Sequence, residues 1–421
     1  MVNNAAMQFA DRAFLAHESL SSLKAILPAS TLVWVILCFF QSVVGYSGVF
    51  VSQYFGAGDN RRAAESYKAG LAIAFLSGLL MVFFLPFGDW IFSLTAADAV
   101  TARHESAYYN IAVLGGVFVF GQMAASAYFT GLGHTRIVFW VNLIGNLMNV
   151  ALDPLFIFTF GLGMAGAAWA TVISLAMQFF VLAYYAQRSL PKEAKNFRLD
   201  SSLLRGTLRY GIPSGGYEIL NMLSFTIFVF VTGTVEGTVD FAVSNACFTV
   251  NYLLFAPMSG FAIGAQTLVG QRLGAQDQDG ARRMLRETML LALGLLAIAV
   301  VVVFALNYPI LELFAPSQAE LNFKFHSLGR VLFALMSAWM LFDAADIIYS
   351  GALKGAGDTR FVFRWMFLCS FIIWLPLVFY VKYCQGTMVE LWTTMIVYVL
   401  ICIVGNAWRW HRGRWARNRL V

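Results

Sequence analysis

Five carboxylates fall inside long apolar stretches of this sequence: Asp11, Asp153, Glu218, Asp343 and Asp346. A charge at the centre of a bilayer costs about 2.5–3.5 kcal/mol even on a lenient insertion scale, so each needs a partner or a water-filled cavity. Burial favours the neutral form of a carboxyl group and a bound cation favours the ionised form, so occupancy of such a site can follow a proton or sodium gradient. That chemistry needs no covalent step. No catalytic triad can be assembled from the sequence, and His17, His104, His134, His326 and His411 have no clustered spacing, which argues against an enzyme and against a bound metal or cofactor.

Asp153 closes the segment Asn149-Val-Ala-Leu-Asp153-Pro154. Asn and Asp at i and i+4 share one helix face, and Pro154 leaves a nearby carbonyl without its helical donor, so the segment suits an oxygen-lined cation site. The competing role is a cap on a kinked helix. Asp343 and Asp346 stand one turn apart, where like charges favour uptake of a proton or cation; the alternative is a pair on the wall of an aqueous vestibule. Asp11 is followed by Arg12, so a local salt bridge competes with coupling. Glu218 lies one turn after Pro213, near a helix start whose dipole stabilises an anion, and that role competes with transport. Tyr46, Tyr217, Phe255 and Met258 are candidates to line a cavity for flat organic cations through cation–π and thioether contacts, with packing or lipid contact as the alternative for each.

Helices must position these groups. Apolar residues make up 60% of 421 and charged residues 12%, with a mean hydropathy of +0.71, where soluble proteins average about 25% charged. Apolar blocks between polar breaks predict spans near 3–17, 28–55, 64–88, 106–131, 136–160 and 163–187. A second set follows near 208–234, 241–271, 284–306, 325–353, 361–384 and 388–409. The first block is too short for a bilayer of about 30 Å at about 1.5 Å per residue, so it reads as a truncated first helix. The expectation is an all-α integral membrane protein of about twelve transmembrane helices. Its parts are an amino-terminal lobe 1–187, a linker 188–207, a carboxy-terminal lobe 208–409 and a basic tail 410–421.

The net charge of +6 lies in short connections and the tail, so it argues for membrane topology and against nucleic acid. Of 28 Lys and Arg, 22 follow even-numbered spans, which by the positive-inside rule puts both termini in the cytoplasm. The five cysteines fall mostly in apolar segments without CxxC spacing and read as core filler.

Two internal matches organise the chain. Val51-Ser-Gln-Tyr-Phe-Gly-Ala-Gly-Asp59 returns 218 residues later as Val269-Gly-Gln-Arg-Leu-Gly-Ala-Gln-Asp277, and Gly131-Leu-Gly-His-Thr-Arg136 returns 224 residues later as Gly355-Ala-Gly-Asp-Thr-Arg360. Six spans separate equivalents, so two six-helix lobes run parallel, related by an axis along the membrane normal. The Gly-rich pieces lack the GxxxxGK[ST] pattern of a phosphate loop and read as tight turns.

The pieces VSQYFGAGD at 51–59, NVALDPLFIF at 149–158, GLGMAGAAWAT at 161–171 and GALKGAGDTR at 351–360 together resemble the multidrug and toxic compound extrusion (MATE) family, over essentially the whole chain. The resemblance implies a secondary transporter that exports organic cations, drugs or metabolites by alternating access, in antiport with protons or sodium. It implies an amino-lobe cation site at Asp11, Asn149, Asp153 and Thr171, open to Na⁺, and in a subset an acid at the position of Asp343. The seventh-helix acid of that subset falls here on Asn221, with Glu218 one turn earlier on roughly the same face; Asn221 joins the cavity candidates. The implied setting is the inner (plasma) membrane, with a small organic cation and lipid as partners and a monomeric chain. A lipid-linked oligosaccharide flippase of the same superfamily is the alternative.

Overall fold

The structure is a computed structural model that describes residues 14–15, 20–96, 98–196, 199–234, 237–314, 319–417 and 420. Asp11 and nearly all of the span expected near 3–17 lie outside the described residues. Among the described residues ten helices are long and apolar enough to cross a bilayer, and a bent pair taken as one span makes eleven: α1 Ala25–Gly56, α2 Asn60–Thr95, α3 Ala99–Leu114 with Gly116–Gly131, α4 Thr135–Thr159, α5 Gly163–Ser189, α6 Ser201–Thr232, α7 Val239–Gly274, α8 Gln278–Ala305, α9 Asn322–Gly355, α10 Thr359–Tyr383 and α11 Met388–His411. The two halves of α3 meet at 43°. No strand occurs among the described residues.

Lipid explains the outward faces. Only 17% of the most apolar stretch of α8 is buried, and Leu290, Ile298 and Val301 stand exposed along it. A soluble protein would aggregate through such a surface, whereas a helix of this length facing hydrocarbon satisfies its own backbone hydrogen bonds.

The chain forms two compact units, Val2–Gly215 with Gly274–Gln276, and Gly216–Leu273 with Asp277–Arg419. In the amino-terminal unit the second half of α3 packs against α1, α2 and α5, and α4 packs on α5. Its core includes Val44, Ile73, Phe120, Ala124 and Ala167. In the carboxy-terminal unit α9 is central, held between α8 and α11 around Phe333, Met336, Trp374 and Trp392.

The repeated motifs do the same local work in both units. Asp59 accepts a hydrogen bond from the Arg62 amide at 2.8 Å and Asp277 from the Gly280 amide at 2.7 Å, capping α2 and α8. Each cap follows a left-handed residue, Gly58 at φ +79° and Gln276 at φ +58°. In the second motif Gly133 and Gly357 both turn at φ +81°. These are tight turns, as the sequence suggests. A methyl group at residue 58 would meet nothing within 4 Å, so Gly58→Ala carries only the backbone cost of a left-handed L-residue, about 1 kcal/mol. A lowered melting temperature should report it, and an unchanged one would mean that the turn is not left-handed.

Ahead of α6, Asp200 accepts from the Ser202 hydroxyl at 2.6 Å, from its amide at 2.8 Å, and from Arg62 at 2.7 Å. The Ser202 hydrogen bonds, aided by the Arg62 charge, hold its carboxyl below the usual carboxylate range. The linker is thereby tied to α2.

Candidate functional site

In the amino-terminal unit the Asn149/Asp153 pair faces inward. Both side chains are fully buried. The Asn149 amide lies 3.3 Å from the Thr171 hydroxyl on α5 and 3.5 Å from the Asp153 carboxylate, longer than a relaxed bond of about 2.7–3.2 Å. Two features bring α5 this close. Pro154 supplies no N–H, and the chain widens into a π turn over Leu155–Thr159. Gly166 packs on that turn, where a Cβ would come within 2.7 Å of the Phe156 carbonyl carbon. The result is a carboxylate and a hydroxyl oxygen held loosely on one amide inside an apolar bundle, oxygens of the kind that take a proton or a hard monovalent cation. The Asp11 expectation falls outside the described residues.

Asp153 also ends a longer polar stripe. Asn142, Asn146, Asn149 and Asp153 recur at i, i+4, i+7 and i+11, one face of α4. Asn142 accepts from Gln122 of α3 at 2.9 Å, and Asn146 from Gln178 of α5 at 3.4 Å. Gly145 leaves the room that the Gln178 side chain fills.

In the carboxy-terminal unit Asp346 is 6% exposed and accepts from the Asn406 amide of α11 at 2.8 Å, while Asp343 is half-buried one turn earlier on α9. Asn406 Oδ1 finds no hydrogen-bond partner among the described residues. An amide offers both a donor and an acceptor, so a flip lets Asn406 serve either protonation state of Asp346. Glu218 is not near a helix start, because α6 begins at Ser201 and runs on through Pro213. It pairs with Lys354 at 2.9 Å, and the Lys354 ammonium lies 3.8 Å from the centre of the Tyr217 ring. The cavity candidates separate by burial: Tyr46 is buried against Phe50 and Tyr210, and Met258 is in the core, whereas Asn221 and Phe255 are half-buried.

The MatE family model matches residues 1–155 and 213–380. This chain belongs to the MATE family. A probable multidrug resistance protein NorM of Thermotoga maritima is 24% identical over 98% of this chain and 89% of its own length. Another so named, of Bradyrhizobium diazoefficiens, is 25% identical over 84% and 78%. Among solved structures, one described as an outward-facing multidrug resistance MATE family transporter of the MOP superfamily superposes with a TM-score of 0.89 at 18% identity, covering 99% of this chain and 93% of that one. The likeness establishes the fold, and family membership makes the chain a membrane transporter of small molecules.

For a MATE transporter, the residues that sequence reading passed over are amides and one lysine. Counting acids alone misses Gln122, Asn142, Asn146, Gln178 and Asn406, although any polar side chain within a span is informative. The 3.6-residue period of Asn142, Asn146, Asn149 and Asp153 was the available signal. Lys354 was assigned to a charged connection, and its contact with Glu218, 136 residues away, leaves no trace in local sequence.

Proposed function

We propose that this MATE transporter exports organic cations, drugs or metabolites across the plasma membrane, in antiport with protons or sodium, through alternating access. The single observation that carries the reading is the buried grouping of Asn149, Asp153 and Thr171. A coupling ion entering it would satisfy the Asp153 carboxylate and draw α4 and α5 together at the π turn. Its departure would leave a bare carboxylate in an apolar setting, which only solvent admitted between parted helices would satisfy. Two packings of one helix pair, biased by one ion, are the kind of bistable element that antiport requires. The proposed coupling set is Asp11, Asn149, Asp153 and Thr171, with Asp343, Asp346 and Glu218 as the charged groups of the other lobe. The relatives named for multidrug resistance support drugs as a substrate class. The proposed orientation places both termini in the cytoplasm, in keeping with the distribution of Lys and Arg, and the working unit is one chain.

The test is uptake of a fluorescent organic cation into inside-out vesicles under an imposed proton gradient and, separately, an imposed sodium gradient. One gradient is expected to drive uptake, and Asp343→Asn is expected to slow it by about tenfold or less, within the range of a modest coupling energy. Uptake driven by neither gradient, with the protein inserted, would overturn antiport.

A further inference from the structure

The Lys354 ammonium occupies what has the makings of an organic-cation site. It rests on the face of Tyr217 at 3.8 Å from the ring centre and on the Glu218 carboxylate at 2.9 Å. An aromatic face beside a carboxylate is the chemistry that recognises alkylammonium and flat organic cations. Tyr217 is itself fixed by burial in the core. Asp343 and Asp346 stand on the same helix as Lys354, and the Lys354 charge reaches Asp346.

Two observations argue against a merely structural lysine. A lysine near a helix end ordinarily extends its ammonium to water. The Lys354 side chain instead turns inward and is only 9% exposed, while its partner Glu218 is 39% exposed, so an arriving cation meets the carboxylate from the open side. The repeat also shows that the turn does not need the lysine. At the offset of 224 that aligns Gly131-Leu-Gly-His-Thr-Arg136 with Gly355-Ala-Gly-Asp-Thr-Arg360, the counterpart of Lys354 is Thr130. Both turns have the same left-handed glycine.

We propose that Tyr217 and Glu218 form a binding subsite for an organic cation, and that Lys354 is its tethered resident, displaced when substrate binds. The proposal rests on the export reading and names a recognition element within it. A tethered group competes at a high effective concentration, so weak cations are turned away and those with a larger aromatic or charged surface displace it. The four-carbon stem gives the ammonium the freedom to leave and return.

Equilibrium dialysis of radiolabelled tetraphenylphosphonium against the purified full chain decides the matter. Lys354→Gln should tighten binding by about tenfold, the scale of one partly exposed ion pair and one cation–π contact that substrate no longer has to break. Lys354→Met, which keeps an apolar stem, should do the same, and Lys354→Arg, which keeps a resident cation, should not. In the Lys354→Gln background, Tyr217→Leu should remove the gain and Tyr217→Phe should keep it. Wild-type or weaker affinity in both Lys354→Gln and Lys354→Met, with either protein monodisperse, would overturn the subsite. That outcome beside intact gradient-driven uptake would leave antiport standing. Tightened binding without uptake under either gradient would sink antiport and leave the subsite.

Discussion

Asp153→Asn is expected to reduce gradient-driven uptake in inside-out vesicles by about a hundredfold, the upper end of typical coupling between two sites, while the protein still reaches the membrane. The substitution is nearly isosteric. It keeps a side chain that fills the same volume beside Asn149 and Thr171, so packing of α4 on α5 should survive. What it removes is the charge, and with it the only group in that trio whose affinity for a proton or cation changes with occupancy. Thr171→Val gives a graded control: it deletes one oxygen and retains the acid, and should slow transport by up to about tenfold, the value of the one neutral hydrogen bond that Thr171 accepts from Asn149. Binding of tetraphenylphosphonium to Asp153→Asn should persist, because the proposed cation subsite lies in the carboxy-terminal unit. Uptake by Asp153→Asn at the wild-type rate would remove the amino-terminal site from the coupling scheme. Loss of binding together with uptake would show that the variant damages the fold.

The eleven described spans were legible because hydropathy and turn chemistry both act locally. The ends were read short: α2 runs from Asn60 to Thr95 against an expected 64–88, since Asp59 caps it in the polar turn and Pro86 is tolerated after a short 3₁₀ stretch at Val82–Phe84. The α3 span begins at Ala99 instead of 106, because Asp98 caps it and the polar Arg103-His-Glu105 run is helical. From residue spacing alone the site was legible only where one helix carries both partners, as for Asn149 and Asp153; Thr171 of α5 entered through the family resemblance. Where partners come from different helices, as for Gln122 with Asn142, Gln178 with Asn146, or Asn406 with Asp346, no local pattern couples them. The repeat does not help, because it preserved turns and let chemistry diverge. At the offset of 224, Asp343 and Asp346 correspond to Val119 and Gln122, while Asn149 and Asp153 correspond to Ile373 and Leu377. Backbone geometry constrains a Gly-rich turn in every copy of a lobe; a buried acid is needed only where an ion or substrate is handled.

Arg409→Gln is expected to destabilise the carboxy-terminal unit by about 3 kcal/mol. Sequence alone places Arg409 among the basic residues that orient the chain, yet its guanidinium holds Asp358 by two bonds of 2.6 and 3.2 Å and lies 4.9 Å from the centre of the Phe361 ring. The side chains of Asp358 and Arg409 are only 8% and 18% exposed, so removing the cation strands a buried carboxylate. The Asp358 side chain does not cap its own helix, which leaves Arg409 as the group that fixes the turn between α9 and α10. Asp358→Asn should cost less than Arg409→Gln, because the freed guanidinium has a long stem and can reach water, whereas the short Asp358 side chain cannot. Arg409→Lys should fall between them, since a lysine lacks the planar fork that meets both oxygens. Melting temperatures of the three variants and of the double variant Asp358→Asn/Arg409→Gln would order them. A double variant less destabilised than Arg409→Gln alone would attribute the loss to the stranded carboxylate. One as unstable as the sum of the two single changes would instead trace it to lost packing around Phe361, and the ion pair would not be what holds the turn.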